Sequence, residues 1–207
     1  MPPQLDTTDS PTAASSNGPG PIDRRSLNLP NLITLSRFVL SIVLFGMMSL
    51  GKMWIASAAV FAVAAATDFL DGYIARKYQL ITTLGRILDP FVDKIIICGA
   101  FVFLLERSTE SGVNGWIVIA VVGREMFVTG LRSFLEQHGR DFSAVWSGKI
   151  KMALQCMAVF VALVSMDEQF ATAVFREFRD VTLWATAVFT VYTGVLYAWR
   201  GFRMLAR

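Results

Sequence analysis

The chain has 207 residues, 54 % of them apolar and 17 % charged, with a formal net charge of +3 and a positive mean hydropathy. That is too apolar for an ordinary water-soluble domain and too short for several domains, so a single membrane domain is the first reading. The small basic excess follows from where Lys and Arg fall along the chain and requires no nucleic-acid partner.

In chain order, Met1–Pro21 is rich in Pro, Ser, Thr and Gly with almost nothing large and apolar to bury. It reads as a disordered tail, and it lacks the charged and apolar regions of a secretory signal. Residues 22–30 (IDRRSLNLP) read as a short juxtamembrane segment whose Arg24 and Arg25 face anionic headgroups. Residues 31–207 then read as an all-α, six-helix transmembrane catalytic domain. Its apolar runs are about 20 residues long, the length that spans a ~30 Å hydrocarbon core. They cover Asn31–Leu50, Trp54–Ile74, Ile87–Leu105, Gly115–Leu135, Ile150–Ser165 and Val181–Trp199.

Six crossings gather Arg24, Arg25, Arg76, Lys77, Arg86, Arg132, Arg140, Lys149, Lys151, Arg200, Arg203 and Arg207 on one side. Lys52, Arg107, Arg176 and Arg179 fall on the other, so both termini are expected in the cytoplasm. Lys151 reads as one of the anchors on that side. Cys98 and Cys156 lie inside spans without metal-ligand spacing and read as buried structural thiols. His138 reads as a solvated loop residue, and the small residues of Ala56–Ala66 as a close-packing helix face. Trp116, Trp146, Trp184 and Trp199 read as interfacial belt residues.

Between the second and third runs stands TDFLDGYIARKYQLITTLGRILDPFVDK, Thr67–Lys94. Carboxylates at membrane depth cost several kcal/mol each and mark a cavity, a partner or an ion. On a helix, Asp68 and Asp71 share a face about 4.5 Å apart along the axis, and Asp89 and Asp93, four residues apart, share another. Two antiparallel helices joined by the short turn Lys77–Arg86 bring all four acids to one space. Left alone they would repel one another, whereas a pair of hard divalent cations, Mg²⁺ or Mn²⁺, relieves both repulsion and desolvation. Two-metal carboxylate sites serve phosphoryl chemistry. Gly72 and Ala75 let a nucleotide or diphosphate approach the backbone, Arg76 supplies a phosphate-binding guanidinium, and Gly85 opens the turn into the next helix.

The spacing D-x2-D-G-x2-A-R-x8-G-x3-D-x3-D, filled at every position by Asp68, Asp71, Gly72, Ala75, Arg76, Gly85, Asp89 and Asp93, resembles the signature of the CDP-alcohol phosphotransferases. The resemblance implies a six-helix, dimeric membrane enzyme that transfers a substituted phosphoryl group from a CDP-linked donor to an alcohol and releases CMP. It implies that Asp68, Asp71 and Asp89 are metal ligands, that Asp93 is the general base and a further ligand, and that Gly72, Ala75, Arg76 and Gly85 form the nucleotide and diphosphate pocket.

NLPNLITLSR (Asn28–Arg37), VGREMFVTGLRSFLEQHG (Val122–Gly139) and WSGKIKMALQ (Trp146–Gln155) are similar to segments of the bacterial branch that makes phosphatidylglycerophosphate in the inner membrane. That implies CDP-diacylglycerol as donor and glycerol 3-phosphate as acceptor. Arg124, Arg132 and Lys149 are candidates for the acceptor phosphate, with Arg124 alternatively paired to a carboxylate on another helix. Thr34 is a candidate for the donor side and Arg37 for the acceptor side, although sequence alone does not separate the two. Other acceptors, namely inositol phosphate, serine or phosphatidylglycerol, keep the same fold and chemistry. A divalent-cation transporter is the reading from another class, and it would spread its acids through the bilayer depth.

Overall fold

Each long apolar run folds as a helix. A computed structural model describes residues 29–78, 83–138 and 146–205, with side chains described over 34–67, 91–138 and 148–204. The helices are α1 (Leu29–Leu50), α2 (Trp54–Tyr78), α3 (Thr83–Glu106), the single turn α4 (Ser108–Ser111), α5 (Gly115–Gln137), α6 (Trp146–Ser165) and α7 (Ala173–Leu205). There is no strand among the described residues. Of these helices, α6 over Gly148–Ser165 and α7 over Ala173–Met204 are long and apolar enough by length and composition to cross a membrane.

Several boundaries differ from the sequence expectation. Leu29 and Pro30 belong to α1 rather than to a juxtamembrane segment; the tail and residues 22–28 lie outside the described residues. The Lys77–Arg86 turn is largely helical, because α2 continues to Tyr78 and α3 begins at Thr83. Gly85 therefore stands in the first turn of α3 instead of opening a loop. The last helix runs 33 residues, far beyond Val181–Trp199. Its extra N-terminal turns, AVFREFRD, start where the Phe175 amide donates to the Thr172 hydroxyl at 3.3 Å.

Neighbouring contacts give the helix directions. Phe45 on α1 stacks on Phe103 of α3 with ring centroids 5.0 Å apart, and Gly99, one turn earlier on α3, lets the Phe45 ring lie against the backbone. The guanidinium of Arg107, just after α3, lies 5.3 Å from the Trp54 ring at the start of α2. α1 and α3 thus run together, and α2 starts where α3 ends. The Thr186 hydroxyl of α7 donates to the Leu154 carbonyl of α6 at 3.2 Å and to its own Thr182 carbonyl at 2.8 Å.

The main apolar core sits toward the end of the bundle where α3 finishes and α5 begins. It combines Leu44 and Met48, Phe61 and Ala64, Phe101 and Leu104, Ile117 and Val121, Val159 and Leu163, and Leu183. Ala58 and Ala64 in the small-residue stretch of α2 are each 1 % exposed, which is the close-packing face expected there. At this end Arg179 is buried, donating to the Glu110 carbonyl at 2.6 Å and to Asp180 at 2.8 Å across Gly112. The inner face of α7 carries the buried hydroxyls Thr182, Thr186, Thr190 and Thr193, while its outer face exposes Val181, Trp184, Val188, Val195 and Trp199. That arrangement inverts the pattern of a helix facing water. Trp116 is exposed with Trp184 and Trp199, and Trp146 has no described side chain. Cys98 and Cys156 are in no disulfide among the described residues, and each is half-buried.

Candidate functional site

Away from that core, α3, α5 and α6 converge on a small polar cavity. Helical spacing sets its lining: Asp93 and Ile97 lie one turn apart on α3, as do Lys151 and Gln155 on α6. Lys94, Glu125 and Met152 complete the wall. Asp93, the expected base, is half-buried here.

Glu125 is the organising group. It is 8 % exposed, and its Oε1 accepts a hydrogen bond from the Lys151 ammonium, itself 8 % exposed, on α6. The same oxygen accepts from Nη1 of Arg124 at 3.3 Å. Arg124 lies with its Cζ 5.3 Å from the centre of the Tyr197 ring of α7. Its aliphatic stem has room because residue 194 is glycine: a Cβ there would stand 3.2 Å from Arg124 Cγ. The chain of contact therefore runs from Tyr197 through Arg124 and Glu125 to Lys151 and the cavity. One carboxylate shared by two buried cations is strongly held, since losing it would strand charge in a low-dielectric interior.

Lys151 is thus not the membrane-surface anchor read from the sequence. Two residues along a helix turn it about 200° from Lys149, which leaves Lys149 exposed and Lys151 buried on Glu125. Arg124 does pair with a carboxylate, but the partner is its own neighbour rather than an acid on another helix. Glu125 escaped the sequence reading altogether. Its signal was present, because an acid inside an apolar run is itself a mark of a built polar site.

Thr34 and Arg37 are both buried on α1, one turn apart. Arg132 is half-buried on α5, two turns beyond Arg124. His138 ends α5, exposed, with Nδ1 donating to the Phe134 carbonyl at 2.8 Å, as a solvated residue would. Asp68, Asp71, Gly72, Ala75 and Arg76 lie in α2, and Gly85 and Asp89 in α3; their side chains lie outside the described ones. Because α2 remains helical through Tyr78, the three-residue spacing of Asp68 and Asp71 is a helical spacing, and Asp89 and Asp93 likewise share one helix. Among the described residues, no three His, Cys, Asp or Glu side chains gather as a metal site. The donor chemistry nevertheless fits hard divalent cations, since all four signature acids offer carboxylate oxygens and Asp93 lines a polar cavity.

A sequence model described as CDP-alcohol phosphatidyltransferase matches residues 27–192. A Bacillus subtilis protein named CDP-diacylglycerol–glycerol-3-phosphate 3-phosphatidyltransferase is 36 % identical over 184 residues, covering 82 % of this chain and 93 % of that protein. A Rickettsia bellii protein of the same name is 31 % identical, with the same coverage of 82 % and 93 %. A rice protein named cardiolipin synthase (CMP-forming) is 33 % identical, covering 75 % of this chain and 51 % of the rice protein.

Proposed function

The chain belongs to the CDP-alcohol phosphatidyltransferase family, and from that membership we propose that it transfers a phosphatidyl group from CDP-diacylglycerol to the terminal hydroxyl of sn-glycerol 3-phosphate. The products are phosphatidylglycerophosphate and CMP. The observation that carries the choice of acceptor is the near full-length likeness to the Bacillus subtilis relative that bears this name.

In this reaction Asp93 takes the proton of the terminal hydroxyl, and the freed oxygen attacks the β-phosphorus of the donor. A new phosphorus–oxygen bond forms as the bond to the CMP oxygen breaks, and CMP departs with that electron pair. Asp68, Asp71, Asp89 and Asp93 would hold two Mg²⁺ or Mn²⁺ ions, which when bound stabilise negative charge on phosphoryl oxygens. Gly72, Ala75, Arg76, Gly85 and Thr34 serve the cytidine diphosphate. Arg124, Arg132, Lys149 and Arg37 serve the acceptor phosphate. No nucleophilic side chain is needed, because the acceptor displaces CMP directly.

The domain crosses the membrane six times, through α1, α2, α3, α5, α6 and α7. The shortest of these has 20 residues, and at about 1.5 Å per residue even it reaches roughly 30 Å. Outward apolar side chains on several of them, including Leu35, Val39 and Ile42 on α1 and Ile119 and Met126 on α5, support contact with lipid. The Lys and Arg distribution supports termini and site on the cytoplasmic side, and the family resemblance supports a bacterial inner membrane and a homodimer as the working unit.

The rice relative named as a cardiolipin synthase favours phosphatidylglycerol as the second candidate acceptor. Purified protein given labelled CDP-diacylglycerol and, in turn, glycerol 3-phosphate, phosphatidylglycerol, inositol phosphate and serine separates these readings. CMP release is expected with glycerol 3-phosphate; release confined to another alcohol would refute the choice. Chelation of divalent ions is expected to stop turnover, and added Mg²⁺ or Mn²⁺ to restore it.

A further inference from the structure

Lys94 and Lys151 line the cavity with the carboxylates of Asp93 and Glu125, and Arg124 holds Glu125 from outside that lining. Gln155, only 1 % exposed and one turn beyond Lys151, lines the same space with an amide nitrogen that has no hydrogen-bond partner among the described residues. A buried donor is costly to leave unsatisfied. An ammonium with spare donors beside an unused amide donor suits an oxygen-rich anion.

We propose that Glu125 is a positioning residue, which holds the Lys151 ammonium in the cavity wall beside Asp93 to receive the acceptor's phosphate, while Arg124, seated on Tyr197, fixes Glu125 in turn. This rests on the phosphate-bearing acceptor of the preceding subsection. The physical need is specific. A lysine has a long flexible stem and, without a buried carboxylate to hold it, extends toward the nearest aqueous interface. Its ammonium carries three donors, so Lys151 keeps Glu125 and gains a phosphate oxygen without breaking the first bond. Glu125 acts through its lysine.

A double-mutant cycle on the full-length protein in lipid–detergent micelles tests this, with CMP release read separately against glycerol 3-phosphate and CDP-diacylglycerol. Glu125→Gln is expected to raise the acceptor KM about tenfold or more while the donor KM stays within about twofold. Lys151→Met added to it is expected to cost little more, because the two residues act as one unit. Glu125→Asp, which keeps the charge, is expected to fall between parent and Gln variant. Equal losses toward both substrates, or full additivity of the two substitutions, would overturn the role. If Glu125→Gln does not accumulate folded, the neutral variant Glu125→Gln/Lys151→Gln removes both charges together and is expected to show the same raised acceptor KM; a parental value would overturn the proposal. Should the parent use a different alcohol, the acceptor reading fails by itself. The same variants read against that alcohol then decide Glu125: a selective loss upholds its role and an unselective one ends it.

Discussion

Lys151 of α6 and Glu125 of α5, 26 residues apart in sequence, meet as a buried ion pair in the wall that also carries Asp93. Two helices that each pack mainly against α7 are thereby joined through charge. Such a pair contributes little net stability over a well-packed apolar one but is costly to break from one side. Its value is in fixing where an ammonium stands, and several consequences can be measured.

Asp93 is half-buried on α3 in a wall that also holds Lys94 and Lys151. A general base, the role we propose for it, contributes on the order of 10²–10⁴ in rate. Asp93→Asn is therefore expected to reduce kcat by about that factor while binding of the CDP-lipid survives, as read by single-turnover CMP release alongside equilibrium binding. Normal turnover would remove Asp93 from the base role.

Arg124 shares Glu125 with Lys151 and rests on Tyr197. A hydrogen bond between charged groups contributes roughly 1.5–3 kcal/mol, so Arg124→Ala is expected to raise the acceptor KM by about 10- to 100-fold and the donor KM much less. Steady-state kinetics with each substrate varied in turn makes the comparison. An unchanged acceptor KM would leave Arg124 a purely structural role.

Gly112 has φ +72°, and a Cβ there would stand 2.6 Å from Arg179 Nε and 2.7 Å from Asp180 Oδ1. The left-handed conformation alone costs a non-glycine residue roughly 1–2 kcal/mol. Gly112→Ala is expected to lower the thermal unfolding midpoint in detergent by several degrees and to leave both KM values near the parent's. Gly115→Ala, at a helical position with open space around it, is the matched control and is expected to change little. A midpoint equal to the parent's in Gly112→Ala would show that the Arg179 clasp yields without cost.

The long helices were legible because each is mostly an apolar run, and the acid-rich segment because carboxylates are conspicuous there. Their ends were not legible. α7 continues through Arg176, Glu177, Arg179 and Asp180, where hydropathy falls but Arg179 finds partners in Glu110 and Asp180. The turn between α2 and α3 looked longer than it is, because polar residues continue a helix as readily as they end one. Glu125 stands next to an arginine that dominates the sequence signal there, and Lys151 lies near a loop in sequence while the helix face it occupies is buried on Glu125. Pairing across helices joins residues distant in sequence, so one chain read from end to end does not reveal it.

The most direct measurement follows one oxygen atom. Protein in lipid vesicles receives CDP-diacylglycerol and glycerol 3-phosphate carrying ¹⁸O at the terminal hydroxyl, and CMP and lipid are analysed by mass. Attack of that hydroxyl on the β-phosphorus predicts equal amounts of CMP and phosphatidylglycerophosphate, with the label retained in the lipid and absent from CMP. Label in CMP, or CMP formed at full rate with no acceptor present, would contradict direct phosphatidyl transfer.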